Sequence, residues 1–141
     1  MKLKKEFFLV FFIISFIIIL ELVTNYISKN SVEDINEKMN KINETLEEIN
    51  IKKENNTLDK NEQNLILEKI NKLKKEWQIE ENKLSLFFEH DELEKVTKCI
   101  IVLEENVKNE EYTIALEDGK EFIYWLYHFK EKDSMKLKNI F

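Results

Sequence analysis

The near absence of turn-forming residues constrains this sequence most. The 141 residues include no proline and only one glycine, Gly119. A sheet protein of this length needs many tight turns, and glycine and proline are the residues that form them most readily. We therefore expect an all-α protein, with one small domain and an additional segment. A single glycine also excludes glycine-rich phosphate loops and dinucleotide-binding fingerprints.

The charged residues argue against a nucleic-acid partner. All 22 basic residues are lysine, and the 28 acidic residues give a net charge of −6. Arginine, which recognises phosphate and guanine through paired hydrogen bonds, is missing. Excess negative charge also repels a phosphate backbone.

An apolar stretch opens the chain and predicts a transmembrane helix over residues 7–26. Phe7 to Leu20 are apolar except for Ser15. Twenty helical residues match a hydrocarbon core about 30 Å thick. Glu21 would then lie near the far interface, and Tyr26 suits the interfacial belt. The lipid bilayer is thus the first predicted partner.

A cleaved signal peptide is the alternative for this stretch. Lys2, Lys4 and Lys5 form a suitable basic start, but the chain's one alanine, Ala115, leaves no Ala-x-Ala cleavage site. An uncleaved anchor is favoured for this reason. A core helix of a soluble protein is also disfavoured, because it would have to be buried on every side.

The basic residues around the stretch predict the orientation. Three lysines precede the stretch, whereas Lys29 is the only one between Thr24 and Glu37. The positive-inside rule then places residues 1–6 in the cytoplasm and the rest outside the cell membrane, in a single-pass arrangement.

A regular apolar seam predicts a membrane-proximal helix over residues 31–54, with Ser31 as its N-cap. The asparagines Asn36, Asn43 and Asn50 flank the seam. It could belong to one helix of an intrachain bundle, or to a coiled coil that pairs protomers. The bundle is favoured, because three heptads alone are marginal in water. The seam residues are spaced three and four apart: Val32, Ile35, Met39, Ile42, Leu46 and Ile49.

Residues 62–141 predict an antiparallel helical domain with a C-terminal tail, which makes a bundle of three to four helices with the membrane-proximal helix. Asp59 and Glu62 resemble a capping arrangement for a helix reaching about Phe88. The next helix is expected to be capped by Asp91. A fourth is expected from about Glu111 to Lys130.

Four smaller expectations concern single residues of this domain. Cys99 lies beside an apolar seam and is expected to be buried. Gly119 predicts a kink or a close approach to a neighbouring helix. Glu104 is expected on a solvated face. The terminal Ile140 and Phe141 are expected to dock on the bundle.

No catalytic arrangement is apparent, so the chain is predicted not to be an enzyme, and no cofactor is expected. Metal binding is the one site hypothesis. His90 and Glu94 are four residues apart, and His128 and Glu131 are three apart, so each pair can share a helix face. The favoured interpretation is structural, with His90 at a turn and His128 beside the core.

Several short motifs together resemble a known family. Trp77 is followed by the string Glu89-His90-Asp91-Glu92-Leu93, by His128, and by an end reading Leu137-Lys138-Asn139-Ile140-Phe141. The chain resembles the domain-of-unknown-function 4363 family of bacterial membrane-anchored proteins. The resemblance implies that the His-Asp-Glu string and the Asn-Ile-Phe end are family marks. It implies no activity, and it suggests a multi-pass membrane protein as partner.

We therefore expect an interaction or scaffolding module. A membrane partner or a second copy would dock on the apolar seam or at the His90 end. The alternative is an extracytoplasmic sensor that binds a ligand or metal through His90 and His128.

Overall fold

The computed structural model describes residues 2–86 and 88–138, which contain four helices and no strand. Side chains are described for 7–23, 26, 29, 30, 32–86 and 88–128. The predicted all-α class and helical bundle are confirmed. The helices are α1 (Lys2–Glu54), α2 (Lys60–Leu84), α3 (His90–Lys108) and α4 (Tyr112–Lys138).

The C-terminal half of α1 and the three other helices form an antiparallel four-helix bundle. α1 packs against α2 and α4, and α3 packs against the same two helices. Lys52, near the end of α1, pairs with Glu62 at the start of α2, and Lys38 pairs with Glu76 further along. Successive helices are therefore neighbours, as short loops require.

The core lies between the helices, and the predicted seam of α1 supplies one side of it. All six seam residues are buried, so the intrachain interpretation of the seam applies. Trp77 of α2 meets Phe122 of α4 edge to face, with ring centroids 6.0 Å apart. Tyr112, which the sequence pattern did not single out, is also fully buried. Full burial of each large apolar side chain contributes about 1.5–3 kcal/mol.

α1 differs from the prediction because it is one uninterrupted helix of 53 residues. Ser31 lies inside this helix, so no helix begins there. The polar residues around it do not break the helix, because no proline or glycine is present in this segment. The predicted anchor and the membrane-proximal helix are thus parts of a single rod.

Three other boundaries differ from the prediction. α2 ends at Leu84, before Phe88, and α3 begins at His90 with Glu89 as its N-cap residue. The predicted Asp91 cap is wrong, because Asp91 lies in the first turn and favours the helix through the dipole instead. α4 runs to Lys138, through most of the predicted tail. The expected docking of Ile140 and Phe141 falls outside the described residues.

Polar residues replace glycine at the helix ends. Asp59 and Glu62 form the predicted capping box, in which the Asn61 N–H donates to Asp59 Oδ1 at 3.3 Å. The Asp59 N–H donates to Glu62 Oε2, also at 3.3 Å. Asn56 and Glu110 take the left-handed conformation, with φ of 54° and 61°, where helices usually place glycine.

Candidate functional site

The N-terminal half of α1 projects beyond the bundle with apolar side chains exposed. From Phe7 to Val23 the large apolar side chains are 46–76% exposed. Soluble monomers rarely expose a contiguous apolar surface of this size, which makes this surface a candidate interaction site. Within the part of the chain that the structure describes, no helix combines the length and apolarity needed to cross a membrane.

Asparagines line the contact between α1 and α4 at seven-residue intervals. The Asn36 amide donates to the Tyr127 hydroxyl at 3.2 Å. The Thr113 hydroxyl donates to Asn50 Oδ1 at 3.4 Å. Asn43 lies between them and is buried. These residues, which appeared in the sequence only as neutral flanks of the seam, therefore set the register of α4 on α1.

Gly119 lets α4 approach Asn43 closely. A close approach to a neighbouring helix was one of the two roles predicted for this glycine. A Cβ placed on Gly119 would overlap Asn43 Oδ1 and lie 2.8 Å from Asn43 Cγ. Asn43 Oδ1 is buried and has no hydrogen-bond donor among the described residues. The contact is therefore close but leaves one polar atom unsatisfied, which costs stability.

Glu104 is a buried acid, and the prediction of a solvated face is wrong. Its exposed fraction is 7%, and its carboxylate accepts hydrogen bonds from Lys74 of α2 and Lys108 of α3. The hydrogen bonds from Lys108 and Lys74 lower the pKa of Glu104. The apolar periodicity could not reveal this, although Lys108 at i+4 is a compatible signal.

Trp77, one of the residues on which the family resemblance rests, is part of the core. Its indole N–H donates to the Thr97 hydroxyl at 2.8 Å, and that hydroxyl donates to Glu81 Oε1 at 2.9 Å. These two hydrogen bonds satisfy the one polar atom of a buried tryptophan and connect α2 to α3.

An aromatic surface lies on α4 and consists of Tyr124, Trp125, Tyr127 and His128. Tyr124 and Tyr127 are 63% and 47% exposed. The Trp125 ring meets the His128 ring edge to face at 5.8 Å, and the Lys95 ammonium lies 4.3 Å from the centre of the Trp125 ring. Trp125 is half-buried, and tyrosine and tryptophan at a protein surface are typical of interfaces.

The histidines do not form a metal site with the described residues. His90 is exposed at the start of α3, together with Asp91 and Glu94, and Glu92 is half-buried. No group of three or more His, Cys, Asp or Glu in the described part is placed to hold a metal ion. The Glu131 side chain and the Asn139–Phe141 end are outside that part.

Cys99 is buried as predicted. Burial first, and the charges of Glu121 and Asp118 second, raise the pKa of its thiol to about 11. A thiol with this pKa is a weak nucleophile at neutral pH.

A shallow groove of about 210 Å³ separates α1 from α2 on one side. Lys38 and Lys41 at its rim are paired with Asp34 and Glu37 on the same helix. The groove therefore offers less positive charge than its lysine content suggests.

Comparison with known families decides where the chain belongs. The family model described as Domain of unknown function (DUF4363) matches residues 22–140. The chain belongs to this family. The match covers the whole described bundle and confirms the resemblance drawn from the short motifs. Neither the curated proteins nor the solved structures contain a match.

Proposed function

We propose that this chain is a membrane-anchored interaction module. The observation that carries the proposal is the division of α1 into two halves. Its N-terminal half exposes apolar side chains from Phe7 to Val23, and its C-terminal half is one side of the bundle core. Such a helix links a lipid-embedded segment rigidly to a folded domain.

The proposed membrane segment is residues 7–26. The described side chains run without a gap from Phe7 to Val23, which is 17 residues or about 25 Å of helix. The proposed span also needs Thr24 and Asn25, whose side chains are outside the described set, and Tyr26, which is 71% exposed. Together these 20 residues reach the thickness of a hydrocarbon core.

The proposed topology has the N-terminus in the cytoplasm and the bundle outside. The distribution of lysines supports this orientation. Three of them, Lys2, Lys4 and Lys5, precede the proposed segment, and only Lys29 directly follows it.

The aromatic surface of α4 is the proposed docking site for another membrane protein. Tyr127 contacts Asn36, which lies ten residues or about 15 Å beyond Tyr26 along α1. The surface is therefore close enough to the membrane for the loops of a multi-pass protein to reach it. The apolar seam is already covered within the chain.

The anchor is tested by alkaline carbonate extraction of membranes. The full chain should stay with the membrane pellet. Replacing Ile14 and Ile17 together by lysine should move it to the supernatant, because a charge at the helix centre costs about 3 kcal/mol or more. A matched double variant, Ile79→Lys with Leu65→Lys on α2, should stay in the pellet. Release of the unaltered chain would contradict the anchor.

Docking is tested by placing a photo-crosslinking residue at Tyr124, with Leu65 near the opposite end of the bundle as the control position. Both side chains are exposed. We expect a crosslinked membrane protein at position 124 and none at 65. Equal products at both positions would contradict docking on the aromatic surface, and a product of twice the chain's mass would identify a second copy as the partner.

A further inference from the structure

The contacts between α1 and α2 fix which residues of the two helices lie side by side. Steps of seven residues toward the start of α1 correspond to steps of seven toward the end of α2. The pairs that define this register are Lys52 with Glu62, Thr45 with Lys69 at 3.4 Å, and Lys38 with Glu76 at 2.9 Å.

One further step of the same register puts the backbone of Ser31 level with Lys83 of α2. Leu84, the last residue of α2, is then level with Asn30 of α1. Asn30 lies four residues, or about 6 Å, beyond Tyr26. The described residues of the α2–α3 loop (85, 86, 88 and 89) therefore lie at the end of the bundle where α1 leaves it.

The register between α1 and α4 brings the end of α4 to the same level. Asn50 contacts Thr113 and Asn36 contacts Tyr127, which are fourteen residues apart on both helices. Continuing this register puts Lys138, the last residue of α4, level with Asn25. The bundle thus ends close to the boundary of the proposed membrane segment.

Leu86 is an exposed apolar side chain at this end of the bundle. It is 78% exposed, more than any described apolar side chain of the N-terminal half of α1. Phe88 is buried in the core, so Leu86 is the exposed apolar side chain among the described residues of this loop. An apolar loop tip gains free energy only where it leaves water, and the proposed bilayer surface begins within a few ångströms.

We propose that the α2–α3 loop inserts Leu86 into the interfacial layer of the bilayer, as a second membrane contact beside α1. This inference rests on the proposed membrane anchor. Exposed Glu89 and Asp91 follow the tip directly, and these charges keep the loop at the level of the headgroups. Two contacts, through α1 and Leu86, fix the orientation of the bundle relative to the membrane.

The test is the depth of spin labels in the full chain, reconstituted in vesicles of phosphatidylethanolamine and phosphatidylglycerol. Nitroxides are attached to Leu86→Cys, Leu65→Cys and Ile17→Cys. Cys99 is buried and stays unlabelled, which the chain without an added cysteine verifies. Collision with oxygen reports the apolar phase, and collision with a water-soluble nickel chelate reports the aqueous phase.

We expect the label at position 86 to collide with nickel several-fold less than the label at 65, and with oxygen more. The label at 17 should be shielded from nickel most. If 17 is shielded while 86 matches 65, the loop contact is overturned and the anchor stands. If 17 is open to nickel, the anchor fails and the loop contact fails with it.

Discussion

At Gly119, α4 packs closely on α1, because the Asn43 side chain occupies the space where a Cβ would lie. Alanine favours a helix over glycine by about 1 kcal/mol. Gly119→Ala should nevertheless lower the free energy of unfolding by about 1–3 kcal/mol, since overpacking a filled site strains it. Denaturation of the full chain in detergent measures this.

The control for this prediction is a double-mutant cycle. Adding Asn43→Ala to Gly119→Ala should recover most of the loss, because the clashing side chain and its unsatisfied oxygen are both removed. Simple additivity of the two changes would contradict the close-contact interpretation of Gly119.

Glu104 should stabilise the fold in a pH-dependent manner. Its pKa is lowered in the folded chain, so its contribution is present above the ordinary glutamate pKa of 4.5 and is lost as the pH falls through the folded value. Glu104→Gln should cost about 1–2 kcal/mol at neutral pH, because two lysines lose a charged partner. The difference from the unaltered chain should shrink in acid.

The adjacent exposed Glu105 provides the matched control for Glu104. Glu105→Gln should change the free energy of unfolding by less than about 0.5 kcal/mol. Equal effects of the two substitutions, or a Glu104→Gln effect independent of pH, would contradict the role assigned to the ion-pair cluster.

The residue pattern predicted apolar positions better than polar ones. The six seam residues of α1 and Cys99 were found because burial follows the helical period. Glu104 was missed, because the helical period alone gives no reason to expect a buried acid. Its burial can be expected only when its lysine partners on two helices are known. Gly119 left two roles open, and the choice between them required the position of Asn43.

The capping box at the start of α2 was predictable because it is local in sequence. Asp59→Ala should lower the free energy of unfolding by about 1 kcal/mol, since the Asn61 N–H then loses its acceptor. Asp59→Asn keeps a side-chain oxygen and should cost less. Thermal unfolding of both variants measures this. Equal losses of stability in the two variants would contradict a capping role for the side-chain oxygen of Asp59.

A substitution at the start of α3 should stabilise the fold rather than weaken it, because the N-cap residue Glu89 makes no side-chain capping bond. Glu89→Ser supplies a preferred cap and should raise the free energy of unfolding by about 0.5–1 kcal/mol. Asp91→Ala should cost only a few tenths of a kcal/mol, as a lost dipole interaction. A loss of about 1 kcal/mol or more would restore Asp91 as the cap.

Element boundaries were the least predictable part of the fold. A break in α1 is suggested by three polar residues, Lys29, Asn30 and Ser31. Long helical segments lie on both sides of them, however, and none of the three is a helix breaker. The mixed sequence after Lys130 resembles a tail, yet α4 continues to Lys138. In both places, propagation of the helix from the neighbouring turns outweighs the local pattern.

At the scale of the whole molecule, the described fold is a four-helix bundle on a rod. The candidate surfaces follow from this arrangement. The exposed apolar half of α1 and the α2–α3 loop lie toward one end, and the aromatic surface of α4 lies between that end and the middle of the bundle. The sequence indicated the apolar half and the His90 end, which adjoins the α2–α3 loop. It did not indicate the aromatic surface, because the placement of that surface depends on helix register.

The most direct test of the account is cysteine labelling in intact spheroplasts with a maleimide that does not cross membranes. Leu65→Cys, exposed on α2, should be labelled without permeabilisation, whereas Lys4→Cys should be labelled only after detergent is added. The buried Cys99 gives a low background. Labelling of position 4 in intact spheroplasts, or protection of position 65 until detergent is added, would contradict a bundle held outside the membrane by α1.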